Sequence, residues 1–173
     1  MHVLFVCTGN ICRSPIAERL AMLFAQQSQL PNFSASSAGT RALVGYPIHP
    51  DSVRVIEGQG GDASNFSARR LSSKIASGAD LILTMTRAHS DMVLETAPRQ
   101  LRRTFTLAQA ARLVTEFTPD SVADLAMLRP HLAADEGWDI ADPIGQKSEF
   151  FTEVGARIAD LLPPIVELCQ RSE

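Results

Sequence analysis

The chain has 173 residues, 45% hydrophobic and 20% charged, with 16 basic against 19 acidic side chains and a formal net charge of -3. That length fits one domain whose core needs no metal or disulfide staple. The near balance of charge gives no footprint for nucleic acid or a membrane surface, and three cysteines (Cys7, Cys12 and Cys169) do not make a secreted disulfide framework.

Residues 2–6 form a short continuous apolar run, the pattern of a strand buried on both faces. The run stops at Cys7-Thr8-Gly9-Asn10, too soon for a signal peptide, and no stretch approaches the 18 apolar residues of a membrane span. From Pro15 onward a stripe of Ile16, Ala17, Leu20, Leu23 and Phe24 predicts a helix, with Pro15 in its first turn. A second strand is expected over residues 33–37, ended by Ala38-Gly39, then a helix over residues 51–57 closed by a glycine cluster. Residues 79–85 read as another buried strand, and residues 87–95 as the helix after it. Residues 101–105 give a weaker fourth strand. Helices are expected over residues 107–115, 121–134 and 148–162, with Pro163-Pro164 kinking or dividing the last. Alternating strands and helices predict a single α/β domain, residues 1–173: a central four-stranded parallel sheet with helices on both faces. Ligands of such sheets bind beyond the carboxyl ends of the strands, which directs attention to the segment after Val6.

That segment is Cys7-Thr8-Gly9-Asn10-Ile11-Cys12-Arg13-Ser14. A loop joining a buried strand to a helix N-terminus can turn several N–H groups toward one point, where the helix dipole adds positive potential. Gly9 and Asn10 tolerate the left-handed backbone that an anion nest needs, and Arg13 supplies a planar fork suited to phosphate. Cys7 stands at the base of this cup, where the field favours thiolate over thiol, and Ser14 can donate a hydrogen bond to it. The loop lacks the glycine and lysine pattern of a nucleotide P-loop. The four histidines form no zinc-spaced pair with the cysteines, so neither metal nor cofactor is expected.

The run Val6-Cys7-Thr8-Gly9-Asn10-Ile11-Cys12-Arg13-Ser14-Pro15 resembles the phosphate-binding loop of the low-molecular-weight protein tyrosine phosphatases. Ser37-Ala38-Gly39-Thr40, Leu83-Thr84-Met85 and Asp142-Pro143 resemble further segments of that family, so the likeness extends along most of the chain. It implies a metal-independent phosphatase that hydrolyses phosphotyrosine in proteins through a phosphocysteine intermediate. Cys7 would be the nucleophile, and Arg13 with the loop from Thr8 through Gly9, Asn10, Ile11 and Cys12 to Ser14 would hold the phosphoryl oxygens. The residues alone leave Asp135, Glu136, Asp139 and Asp142 open as proton donor; the resemblance selects Asp142.

The family's aromatic residues beside the substrate are replaced here by Leu43 and Ile144, with Tyr46 displaced by a few positions, so the expected substrate wall is mostly aliphatic. Ile11 stands where related protein arginine phosphatases carry Thr, which ranks an arginine phosphatase as the alternative. A phosphate-binding module without turnover is the second. Cys12 is either a reversible disulfide partner of Cys7 or a small apolar filler. His89 reads as a surface helix residue, Trp138 as packing near the Asp142 loop, and Cys169 has no assigned role. The expected protein is cytoplasmic, acts on a phosphorylated protein with a tyrosine kinase as one candidate, and binds neither nucleic acid nor membrane. No residue specifies its oligomeric state.

Overall fold

β1 (His2–Cys7) lies between β2 (Ser34–Gly39) and β3 (Leu81–Thr84), and β4 (Thr104–Thr106) flanks β3, giving the order β2-β1-β3-β4. All neighbouring pairs are parallel. The computed structural model describes residues 1–132 and 137–172. The pleat of β1 divides the interior: Val3, Phe5 and Cys7 enter one core, Leu4 and Val6 the other. The first core is filled from α1 (Arg13–Gln27), α5 (Leu107–Phe117) and α7 (Ser148–Arg171). The second is capped by Ala76 of α3 (Ser73–Ser77) and Val93 of α4 (Arg87–Thr96). The remaining helices are α2 (Pro50–Gly58) and α6 (Val122–Met127). This is the single α/β domain with a four-stranded parallel sheet that the alternation of patterns predicts.

The strand order reverses at β1, because the chain places β2 on one side of it and β3 on the other. The crevice beyond the carboxyl ends of such strands is open to a ligand, and the loop from Cys7 to Arg13 occupies that place.

Several boundaries differ from the sequence reading, each for a local reason. The expected strand over 101–105 is a 3-10 turn, Pro98–Arg103, followed by β4. Pro98 sets the helical dihedral at the start of that turn, and the Thr104 hydroxyl donates to the Gln100 carbonyl at 2.9 Å to end it. The helix expected over 121–134 ends at Met127, and a 3-10 turn, Arg129–His131, follows with Pro130 inside it; residues 133 and 134 lie outside the described residues. Pro163 and Pro164 do not divide α7, which runs on to Arg171. Their missing donors are adjacent, so the interruption is confined to one turn. Leu162 before them and Ile165, Val166 and Leu168 after them are buried in the same core. That burial on both sides outweighs the intrinsic cost.

Candidate active site

The loop after β1 is held by its carbonyls. Those of Cys7, Thr8, Gly9 and Ile11 accept N–H groups from Thr40, Arg41, Leu43 and His49 at 2.8–3.0 Å, all from the chain between β2 and α2. The Cys12 carbonyl accepts Ile16 N–H as the first bond of α1. With the carbonyls drawn outward, the N–H groups from Thr8 to Cys12 donate to no protein acceptor among the described residues. Helix α1 begins without a side-chain cap, so its dipole faces the same cup. Sequence reasoning anticipates the cup from the strand–loop–helix order, but not the four N–H groups that shape it.

Asn10 orients the interior of the loop. It adopts φ of 56°, a left-handed conformation that Asn tolerates better than most side chains. Its Oδ1 accepts Arg69 N–H at 2.8 Å, so Nδ2 is the end that donates to Ser14 Oγ at 3.0 Å and to Ser37 Oγ at 2.8 Å. Ser37 passes its own proton to Glu18 Oε2 at 2.5 Å. Ser14, already accepting from Asn10, keeps its proton to donate to Cys7 Sγ at 2.9 Å. The chain of donors therefore ends on the Cys7 sulfur. Burial pushes the Glu18 carboxyl up, partly offset by the Ser37 hydroxyl and by Arg19 and Arg69. The sequence reading includes Ser37 only within the Ser37-Ala38-Gly39-Thr40 resemblance and gives Glu18 and Arg69 no role; Arg69 lies 59 residues from Asn10 and carries no local signal.

Arg13 is 4% exposed. Its Nη1 donates to the Ile140 carbonyl at 2.8 Å and its Nη2 pairs with Asp142 Oδ2 at 2.9 Å, while the buried Nε has no hydrogen-bond partner among the described residues. A buried guanidinium N–H beside five free backbone N–H groups is a set of donors suited to an oxyanion. Asp142 is 48% exposed and its Oδ1 accepts Ile144 N–H at 3.2 Å. Asp139 accepts Arg87 N–H at 2.8 Å instead, and Asp135 and Glu136 lie outside the described residues. Trp138 is buried with the Arg112 guanidinium 5.8 Å from its ring centre.

The sequence reading of His89 as a surface residue is corrected by the fold. His89 is 6% exposed, and its Nε2 lies 2.9 Å from Thr8 Oγ1. It occupies the first turn of α4, where its N–H bonds the capping Thr86 hydroxyl, and that cap turns its side chain toward the loop. Burial lowers its imidazole to about 4; Arg13 adds to the effect, and Asp139 and Asp142 oppose it.

Cys12 is buried, and burial pushes its thiol up to about 12 against a smaller opposing effect of the Ser52 hydroxyl. Around the cup, Leu43, Val44, Tyr46 and Ile144 are exposed large apolar side chains. Leu43 and Ile144 are fixed to the site through their N–H bonds to Gly9 and Asp142, and Tyr46 N–H bonds the Leu43 carbonyl. Among the described residues no cluster of His, Cys, Asp and Glu is placed to hold a metal, and no helix is long and apolar enough to cross a membrane.

The sequence profile described as low molecular weight phosphotyrosine protein phosphatase matches residues 2–172. A probable low molecular weight protein-tyrosine-phosphatase, EpsP, from Ralstonia nicotianae is 39% identical over 107 residues, covering 62% of this chain and 70% of that protein. A protein-arginine-phosphatase from Geobacillus stearothermophilus is 30% identical over 172 residues, 99% of this chain and 98% of its own length. The crystal structure of a low molecular weight protein tyrosine phosphatase from T. tengcongensis superposes with a TM-score of 0.78 at 28% identity, covering 96% of this chain and 98% of that one. The YwlE arginine phosphatase from Geobacillus stearothermophilus gives 0.74 at 30% identity, covering 98% and 92%.

Proposed function

This chain belongs to the low molecular weight phosphotyrosine protein phosphatase family, and we propose that it hydrolyses phosphotyrosine in proteins through a phosphocysteine intermediate, without a metal. The observation that carries the reading is the loop itself: between Cys7 and Arg13 the N–H groups from Thr8 to Cys12, and the buried Arg13 Nε, have no acceptor among the described residues, while the Ser14 hydroxyl lies against the Cys7 sulfur.

Cys7 thiolate attacks phosphorus, forming the S–P bond as the ester P–O bond breaks, and Asp142 gives its proton to the departing oxygen. In the second half the Asp142 carboxylate takes a proton from water, the resulting hydroxide attacks phosphorus, and inorganic phosphate leaves with the thiolate restored. The loop N–H groups and Arg13 hold the equatorial oxygens through both displacements, supplying the charge stabilisation that dominates phosphoryl transfer. A thiol nucleophile with no disulfide partner suits a reducing compartment, and the protein is read as cytoplasmic on that basis.

Leu43, Tyr46 and Ile144 form the wall that a substrate side chain would meet, with Val44 beside them. Ile11 favours phosphotyrosine over phosphoarginine, whereas the full-length similarity to an arginine phosphatase keeps that substrate as the comparison arm. The test is hydrolysis of p-nitrophenyl phosphate with a chelator present, alongside phosphotyrosine, phosphoarginine and phosphoserine peptides. Turnover by the native protein, lost in Cys7→Ser, with phosphotyrosine the best peptide, is the expected result. Anion binding without turnover by the native protein would make it a binding module.

A further inference from the structure

We infer that the Thr8 hydroxyl is a hydrogen-bond donor to the bound phosphoryl group, and that His89 is the positioning residue that fixes its direction. The inference rests on the phosphatase reading above and adds a side-chain donor to the backbone cup.

The ring of His89 is buried beside the loop. Nε2 lies 2.9 Å from Thr8 Oγ1, and Nδ1 is buried with no partner among the described residues. Two neutral tautomers are compatible with that contact. If the proton were on Nδ1, a buried N–H would be left without an acceptor. If it is on Nε2, only an acceptor lone pair is left bare. Orphaned buried N–H groups are the rarer of the two in native proteins, which favours the Nε2–H form.

An Nε2–H donor makes Thr8 Oγ1 the acceptor, so the hydroxyl proton of Thr8 must point elsewhere. Thr8 has no second side-chain hydrogen bond among the described residues and is only half-buried. Its main chain is pinned: the carbonyl accepts Arg41 N–H at 2.9 Å, and the residue directly follows Cys7. A fixed backbone and a committed lone pair leave the proton uncommitted within the protein and ready to meet an acceptor that enters beside Cys7. Ser14 receives the same treatment from Asn10 on the other side, where an amide donor frees the serine proton for the sulfur. His89 and Asn10 thus set two hydroxyls of one loop as donors, one toward the nucleophile and one toward the phosphoryl group it attacks.

The experiment compares the native enzyme with Thr8→Val, Thr8→Ser, His89→Phe, His89→Gln and the double variant Thr8→Val/His89→Phe. The readouts are kcat/KM for p-nitrophenyl phosphate and the dissociation constant of inorganic phosphate, measured by titration calorimetry. Val keeps the shape of Thr and removes only the hydroxyl, so it tests the donor without disturbing α4. Hydrogen bonds to charged groups are the stronger class, so Thr8→Val should lower kcat/KM by ~10- to 100-fold and weaken phosphate binding in parallel. Thr8→Ser, which keeps the donor, should recover most of both. His89→Phe should reproduce the Thr8→Val defect, and His89→Gln, whose amide N–H can donate to Thr8, should rescue it. In the double variant the losses should not add, because His89 acts through the hydroxyl that is already gone. An unchanged phosphate constant in Thr8→Val, or fully additive losses in the double variant, would overturn the inference while leaving the phosphatase reading intact. If the native protein shows no turnover, that reading itself fails, and the phosphate constants still report whether Thr8 donates to the anion.

Discussion

Arg13 and Asp142 form an ion pair at 2.9 Å in which the guanidinium is 4% exposed and the carboxylate 48% exposed. The cation is fixed by the fold and the anion reaches in from the rim. An incoming phosphate dianion competes with Asp142 for the same Nη2 and offers a second acceptor to the bare Nε. On the proposed mechanism, substrate entry releases the carboxylate as it secures the arginine, and the freed Asp142 takes up from solvent the proton that it gives to the leaving oxygen. Replacing Asp142 by Ala should lower kcat by ~10²- to 10⁴-fold, the usual worth of general acid catalysis. The loss should grow as the leaving group becomes more basic. Inorganic phosphate should bind at least as tightly as to the native enzyme, because the competing carboxylate is gone. Steady-state rates with a series of aryl phosphates and phosphate inhibition constants check both; a loss that is equal for all leaving groups would count against the acid role.

Gly39 packs where no side chain fits. A Cβ there would lie 2.5 Å from the Thr8 carbonyl oxygen and 3.0 Å from Ala42. The first contact is backbone, so the active-site loop itself must yield. Gly39→Ala should cost ~1–3 kcal/mol of stability and depress kcat/KM together with it. Urea denaturation and aryl phosphate kinetics on one preparation test this; a destabilised but fully active variant would show that the loop tolerates the shift.

Asn10 combines a left-handed backbone with three hydrogen bonds, to Arg69 N–H, Ser14 and Ser37. Asn10→Ala strains the backbone and strands the Arg69 N–H, which predicts a loss of ~2–4 kcal/mol. Asn10→Gly removes the strain but leaves the Arg69 N–H without its acceptor and Ser14 and Ser37 without their donor, so it should recover part of the stability and none of the activity. Recovery of both would mean that the hydrogen bonds to Ser14 and Ser37 matter little to the thiolate.

The His89 imidazole has its proton affinity lowered by burial to about 4, against an ordinary 6.5. Between those values the unfolded chain binds a proton that the native protein refuses, so stability is intact above pH 6.5 and falls as the pH drops toward 4. The full effect is of the order of 3 kcal/mol. Glu18, whose carboxyl is raised, works in the opposite sense: its contribution is present at low pH and is lost as the pH rises through its folded value. The native curve minus that of His89→Gln isolates the histidine. Melting temperatures from pH 8 down to 4 should show the native protein losing stability relative to His89→Gln below pH 6.5; parallel curves would exclude the assignment.

Cys12, with its thiol pushed up to about 12, is protonated in the resting loop. If hydrogen peroxide converts Cys7 to a sulfenic acid, the Cys12 sulfur attacks it, its proton leaves with the hydroxyl as water, and the Cys7–Cys12 disulfide forms. Only the thiolate attacks, so the fraction of disulfide over sulfinic acid should rise with pH. Mass spectrometry after brief peroxide treatment at pH 6, 7.5 and 9 checks the trend; sulfinic acid alone at every pH would leave Cys12 as an apolar filler.

The sequence by itself determined the parts of this protein whose cause is local. Val3, Leu4, Phe5 and Val6 are apolar on both faces of the pleat and buried on both; Pro15 and the stripe after it make α1; the eight residues from Cys7 to Ser14 carry the proposed nucleophile, arginine and anion-binding turn. It misjudged segments where a local signal competes with packing. Pro163-Pro164 breaks a helix by propensity, yet buried side chains on both sides carry α7 through. Only the tertiary structure decided what surrounds the loop. Arg69 reaches Asn10 across 59 residues, His89 reaches Thr8 across 81, and Asp142 reaches Arg13 from the segment before α7. No periodicity records those meetings. They follow from a parallel sheet whose order reverses at β1, which brings the carboxyl ends of separate strands, and the loops beyond them, to one crevice.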